Sequence, residues 1–498
     1  MTYLKAVRNC CDVLMDRGTD RYGSVHAPLL VSILDIESLN CPENPLPLDE
    51  AWRVIRRGRR NPASSNLLMD QVTIKTMYLL SQITGQSTYA DFSNTYVDYY
   101  LKNLVDDRGL IWWGWHRCFD VFREARVGHN GDPHEFHASH CIAWENLWQI
   151  NPNAVRREIE AIWTWHVCNK ESGEINRHCD AKAGCDFSMT AGAFLYAFAF
   201  LYTKTGNGVW LDRARLLANY YWTRRNPNTD LFPDRPNAGL KRFDGGHFLT
   251  SNVGLHGHAL LKTEELTGDV LFRNYAKAYL QAYHRYGYDA EAGKYWGSLT
   301  LDGTPVLGPR VYTDNIDSTA GYHASQPRGY LDLWQPYVCG YEHPLYAAQV
   351  YVYGFERTGE PAFLEAAKTF ASWIAKELDH KMCMPNTWYK GYAETYAPHG
   401  TYADHYGHLI SFFTHLFVQT NDGSYLALAR RVADEAIEKL SHNGIFRGHP
   451  HKPYYEATDG VGYLMYGLLC LHLVSDPHAA IRKGSLYYQN MRVPLDNW

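Results

Sequence analysis

A turn signal of one kind recurs along most of this chain, and it constrains the fold more than any other feature. Thr-Gly stands at 84–85, 205–206, 267–268 and 358–359, with Asn151-Pro152 and Asn421-Asp422-Gly423 in equivalent places. Each mark separates two stretches of helical period. Glycine just past one helix and a polar residue or proline at the start of the next are the stop and start signals of a helical hairpin. The pattern predicts pairs at 68–83 with 87–104, 138–150 with 153–168, 190–204 with 208–225, 253–266 with 270–286, 345–357 with 361–379 and 406–420 with 424–440. Helices at 3–16 and 460–474 remain, and joining them gives a seventh pair. Helical hairpins cannot bury their apolar faces alone, so a series stacks into an open solenoid or closes into a ring. Both terminal helices are amphipathic and neither carries a polar capping face, which favours closure. The expected fold is all-α: an (α/α)7 barrel or toroid closed by the N- and C-terminal helices, one domain over 1–498.

The stretches at 105–137, 169–189, 226–252, 287–342 and 380–404 are too long for tight turns, and all leave the second helix of a pair. In a ring they would share one mouth, and long connections in a compact domain are usually functional. Within 287–342, KYWGSLTLDGTPVLGPR alternates as a small β-hairpin insertion turning at Asp302-Gly303. DRYGSVHAPLLVSILD at 20–35 reads as extended.

Composition narrows the partners. The formal net charge is -5 and the one long basic run is RVIRRGRR at 53–60, which argues against nucleic acid. The 37 Tyr and 15 Trp suit a cleft that stacks sugar rings, although a bulky core would use them as well. Eleven cysteines, an odd number with scattered spacing, read as thiols rather than a disulfide framework. No basic segment followed by an apolar run opens the chain, which favours the cytoplasm, with a periplasmic or secreted location as the alternative where a leader has been removed. No apolar run reaches the length of a membrane span, so no membrane partner is expected. Oligomeric state is left open.

Chemistry concentrates in GLIWWGWHRCFD at 109–120, GHNGDPHEFHASH at 128–140 and GEINRHCD at 173–180. Two imidazoles and a carboxylate suit Mn, Zn, Co or Ni better than Ca. His116, Glu135 and His178 are a candidate trio of that kind. They follow no local ligand code, and the competing reading is that loop histidines are solvated or bonded to backbone.

GLIWWGWH, HEFHASH, NPNAVRREIEAIWTWHV and INRH, in that order and preceded by SSNLLMDQ at 64–71, resemble polysaccharide lyase family 2, the pectate lyases, over roughly residues 60–205. The resemblance implies a divalent transition metal on His116, Glu135 and His178, with Mn2+ first and Zn2+, Co2+ or Ni2+ as alternatives. It also implies Arg177 as the base, an (α/α) toroid, and β-elimination on an anionic uronate oligo- or polysaccharide. Trp115 stands where the family tends to have glycine, His137 where it has lysine, and Cys179 where glycine follows Arg-His. These departures leave the trio intact and the choice of uronate open.

Trp113, Trp115 and His137, together with Tyr322, Arg328 and Trp334 of 287–342, are candidate substrate-binding residues. Arg328 suits a bidentate carboxylate contact or a structural ion pair. A guanidinium is effectively always protonated, so the competing assignment makes Arg177 a carboxylate clamp and Tyr322 or His323 the base. Other readings are a glycoside hydrolase using two of Asp244, Asp314, Asp317 and Glu394, a sugar epimerase, or an inactive glycan-binding toroid.

Overall fold

The computed structural model describes residues 2–43, 64–114, 117–128, 136, 142–180, 182–237, 246–307, 329–333, 344–380, 400–450 and 452–476. The helices are α1 (Tyr3–Arg17), α2 (Leu67–Thr84), α3 (Thr88–Asn103), α4 (Trp144–Ile150), α5 (Pro152–Trp165), α6 (Ser188–Thr205) and α7 (Gly208–Trp222). They continue with α8 (His258–Thr267), α9 (Val270–Gly287), α10 (Pro344–Thr358), α11 (Pro361–His380), α12 (Ala403–Thr420), α13 (Gly423–Leu440) and α14 (Val461–Ser475). The Thr-Gly marks do what the sequence implied: Gly85, Gly206, Gly268 and Gly359 have φ of 70°, 67°, 70° and 68°. Only a residue without Cβ takes this left-handed cap at little cost, which is what stops each helix.

Packing divides the chain into two compact units, Met1–Glu135 with Ala143–Glu158 and His399–Trp498, and Phe136–Ile142 with Ile159–Pro398. In the first unit α12 packs on α14 and α14 on α2, with α13, α1 and α3 covering α12, α14 and α2 respectively. The last described helix thus lies between α12 and α2 with α1 on its back, the meeting of terminal helices that the sequence called for. Side chains sort the two layers. Every residue of α12 from Ala403 to Leu416 is buried, whereas α13 buries only Ala429, Val432, Ala433, Ala436 and Leu440. That spacing is the single apolar stripe of an outer helix, and a helix apolar all round belongs inside. Among short strands, Ile33–Asp35 pairs antiparallel with Tyr454–Glu456, so the extended segment near the N-terminus is tied to the C-terminal region. Lys452 lies beneath, its side chain 0 % exposed, 3.0 Å from Glu456 Oε2 and 2.6 Å from Asp459 Oδ2.

In the second unit α6, α8 and α10 pack together, covered by α7, α9 and α11. The fold class is all-α, built of helical hairpins as expected, with seven helical pairs among the described residues. One detail differs from the sequence reading. The helix expected from 253 opens instead as a buried π-helical turn, Asn252–Gly257, before α8 begins. The turn at Asp302-Gly303 forms as expected, with Gly303 N–H on the Thr300 carbonyl at 3.0 Å and Leu299 bridged antiparallel to Pro305 across it, and Ser298–Leu299 pairs in addition with Phe248–Leu249.

Candidate functional site

The tryptophan-rich segment of the first unit is fixed residue by residue. Asp106 accepts the N–H groups of Arg108 and Leu110, each at 2.9 Å, and pairs with Arg117 Nη1 at 2.8 Å. Arg117 in turn lies 4.4 Å from the Trp112 ring. Tyr100 donates its hydroxyl to the Trp112 carbonyl at 2.7 Å, and the Trp112 indole donates to the Cys118 carbonyl at 3.0 Å. Glu158 of α5 accepts the Ile111 N–H at 2.6 Å. Burial pushes Glu158 up to about 8, an effect that this N–H only partly offsets. Arg117–Asp120 then forms the centre of a three-stranded sheet with Ser64–Ser65 and Ala125–Gly128.

In the second unit a tight turn between Val167–Asn169 and Glu174–Ile175 delivers Asn176, Arg177 and His178. Asn176 is the hub. Its backbone N–H bonds the His166 carbonyl at 2.7 Å and its own carbonyl accepts from His166 Nδ1 at 2.9 Å. Its side chain donates to Asp180 Oδ1 at 2.6 Å and to the Lys182 carbonyl at 2.5 Å, and accepts the His178 N–H at 2.8 Å. Arg177 is held on both sides of its backbone: its N–H donates to the Cys185 carbonyl at 3.1 Å, and its carbonyl accepts from Phe136 N–H at 2.7 Å. Its side chain is buried, with the guanidinium carbon 4.4 Å from the Phe187 ring centre. His178 is half-buried.

Around Arg177 lies a buried polar group that the sequence reading missed. Arg235 also sits over Phe187, at 5.0 Å, and its Nε is 3.1 Å from Asp234 Oδ2. Ser188 donates to Asp234 Oδ1 at 2.7 Å. Burial raises the Asp234 carboxyl, opposed first by Arg235, then by Ser188 and Ser251, then by Arg177. The π turn contributes Asn252, whose amide bonds the Phe232 carbonyl at 2.8 Å, and His256, whose Nδ1 bonds the Ser188 carbonyl at 2.9 Å. Burial pushes His256 down to about 4, so its imidazole is neutral at physiological pH. Asp186 is pushed up to about 6 by burial, against hydrogen bonds from the Tyr220 hydroxyl and the Asn237 N–H at 2.8 Å each. The one sequence signal for this group was the acid–base pair Asp234-Arg235 between the two prolines of LFPDRPN.

Of the residues singled out from sequence, Arg177, His178 and Cys179 lie in the second unit and Trp113 in the first. Trp113 is 0 % exposed with its ring centre 6.3 Å from that of Trp144, a core position that presents no face to a sugar. Trp115, His116, Glu135, His137, Tyr322, His323, Arg328, Trp334, Asp244, Asp314, Asp317 and Glu394 lie outside the described residues, as does 53–60. Among the described residues no three His, Cys, Asp or Glu side chains are grouped to hold a metal ion, a set that excludes His116 and Glu135.

Residues 50–188 match the sequence model of the periplasmic pectate lyase family. A pectate disaccharide-lyase of Dickeya dadantii (strain 3937) is 29% identical over 119 residues, which are 23% of this chain and 22% of that protein. The match thus spans about a fifth of that relative's length. Among solved structures, a D-mannose isomerase has a TM-score of 0.47 at 11% identity, covering 93% of this chain and 97% of its own. A heparin-specific unsaturated glucuronyl hydrolase has 0.47 at 10%, covering 94% and 96%. A family 76 glycoside hydrolase from a bovine Bacteroides thetaiotaomicron strain has 0.48 at 10%, covering 95% and 78%. Similarity at this level says nothing of substrate or reaction. The matched family is described as periplasmic, and the match lends no support to the cytoplasm favoured from sequence. No described helix is long and apolar enough to cross a membrane. The resemblance read from the ordered Trp-Gly-His, His-Glu and Arg-His segments is thereby shown for residues 50–188, which carry the match to the periplasmic pectate lyases.

Proposed function

We propose that the chain is a metal-dependent polysaccharide lyase that cleaves a uronic-acid-containing polysaccharide by β-elimination. His116, Glu135 and His178 hold a divalent transition metal in this reading, with Mn2+ the first choice. The observation that carries it is the hydrogen bond from Phe136 N–H to the Arg177 carbonyl, 2.7 Å long. Phe136 follows Glu135 in sequence and Arg177 precedes His178, so the bond ties together the backbone next to two of the three ligands. The imidazole of His178, half-buried on a loop pinned by Asn176, fits a ligand whose orientation is fixed in advance. When bound, the metal neutralises the substrate carboxylate, which would otherwise resist the negative charge that builds up as the adjacent proton leaves.

Arg177 takes that proton as the neutral guanidine, its own proton having first been released to solvent, and so becomes guanidinium again. The C–H electron pair becomes the new double bond, the glycosidic C–O bond breaks, and the departing oxygen takes up a proton, so no water is consumed. Phe187 sets the plane of the guanidinium, while Asp234 holds Arg235 over the same ring. The test is an assay on a panel of uronate polymers, polygalacturonate among them, with and without chelator. The expected result is ultraviolet absorbance from the unsaturated product, abolished by chelator and restored by Mn2+. New reducing ends without absorbance would instead make the protein a hydrolase, and binding without any product would make it a glycan-binding toroid.

A further inference from the structure

We infer that Asn66 is a positioning residue for His116, clasping the backbone on both sides of the Trp115-His116 pair. The inference rests on the proposed metal reading.

Asn66 is buried and forms the N-cap of α2. An amide side chain has two N–H donors and an oxygen with two lone pairs, and all four are used here. Nδ2 donates to the Gly114 carbonyl at 2.6 Å and to the Arg117 carbonyl at 3.2 Å. Oδ1 accepts the Gly114 N–H at 3.3 Å and the Leu68 N–H at 3.2 Å. Capping the helix accounts only for the Leu68 bond, and serine or aspartate would cap equally well. The other three bonds go to Gly114 and Arg117, the residues that flank 115 and 116. Gly114 has φ of 115°, a conformation that strains any residue with a side chain. The neighbourhood on either side is fixed as well, by Glu158 on Ile111 and by the Asp106–Arg117 pair. A loop held this way presents its ligand without an ordering cost at the moment of binding, which is what partners behind a metal ligand supply.

The design of the amide separates the two roles. Asn66→Ser keeps an oxygen for the Leu68 N–H and loses the reach to both carbonyls. Asn66→Asp keeps both acceptor bonds and sets a carboxylate oxygen against the Gly114 and Arg117 carbonyls. Metal-free full-length protein is titrated with Mn2+ alone by calorimetry, and each variant's fold is checked by circular dichroism. The expected result is a native spectrum with the Mn2+ dissociation constant raised about 10- to 100-fold in both variants. Wild-type affinity in a folded Asn66→Ser would overturn the positioning role and leave the metal reading standing. Absence of Mn2+ binding by the wild type, or undiminished binding by His178→Ala, would sink the metal reading and the inference with it. Hydrogen exchange on the wild type gives a measure independent of variant folding. The peptide containing Gly114 is expected to be protected before Mn2+ is added, and protection that arises only with the metal would overturn a preformed clasp.

Discussion

The backbone N–H of Phe136 meets the carbonyl of Arg177 at 2.7 Å, so the chain just after Glu135 and the chain just before His178 form one hydrogen-bonded step. His178→Ala is therefore expected to remove tightly held metal while the helices stay intact. Metal content of dialysed protein, measured by plasma emission, should fall from near one ion per chain to background with an unchanged circular dichroism spectrum. Full occupancy in the variant would contradict the ligand assignment.

Arg177→Lys tests the chemical step. Lysine keeps the charge and lacks the planar fork over Phe187. As the base, Arg177 contributes a kcat effect of about 10²- to 10⁴-fold, with Mn2+ affinity retained. A variant whose KM rises while kcat holds would instead make Arg177 a clamp on the substrate carboxylate.

Glu158 predicts a pH dependence of stability. It ionises at its ordinary 4.5 in the unfolded chain and near about 8 in the fold, so between those values the fold keeps a proton that the unfolded chain has lost. Stability is then full below the lower value and declines as pH rises toward the upper one, by at most about 1.4 kcal/mol per pH unit. Glu158→Gln keeps an acceptor for the Ile111 N–H and should flatten that decline in melting temperature. Asp70, pushed up to about 7 by burial with the Tyr96 hydroxyl on its carboxylate at 2.6 Å, works in the same direction and leaves a residual slope. An identical slope in wild type and Glu158→Gln would remove Glu158 from the account.

Lys452 offers a stability test away from the site. Its ammonium is buried between Glu456 and Asp459 at 3.0 and 2.6 Å. Lys452→Met leaves two carboxylates facing each other without a cation, and removing one partner of a buried pair costs about 3–5 kcal/mol. The urea midpoint should drop accordingly, and a shift smaller than that of an ordinary surface substitution would contradict the arrangement.

How much of this was legible beforehand depended on whether the signal was local. Gly85, Gly206, Gly268 and Gly359 announced the helix ends because a left-handed cap is a one-residue requirement. Asp302-Gly303 marked its turn for the same reason, yet the partner strand Phe248–Leu249 was not readable because it lies fifty residues away in sequence. The π turn at Asn252–Gly257 differs from an α-helix by one residue of hydrogen-bond register, which leaves no trace in hydrophobic periodicity. Trp113 shows the limit of aromatic composition: a ring packed on Trp144 and a ring stacked on a sugar draw on the same residue type. Asp234, Arg235 and Ser188 formed no pattern because only the fold brings them together. His178 was singled out first by residue type, and Arg177 only through the order of four segments.

The placement of α14 between α12 and α2 has a consequence for biosynthesis. On the ribosome α2 emerges early with one apolar flank bare, and its neighbour is not made until Val461–Ser475 is translated. At roughly 5–20 residues per second, that interval lasts tens of seconds. Residues 159–398 can meanwhile gather into their own unit. The nascent chain therefore carries an exposed sticky surface that chaperones would shield, and its earliest helices are the last to find their permanent neighbours.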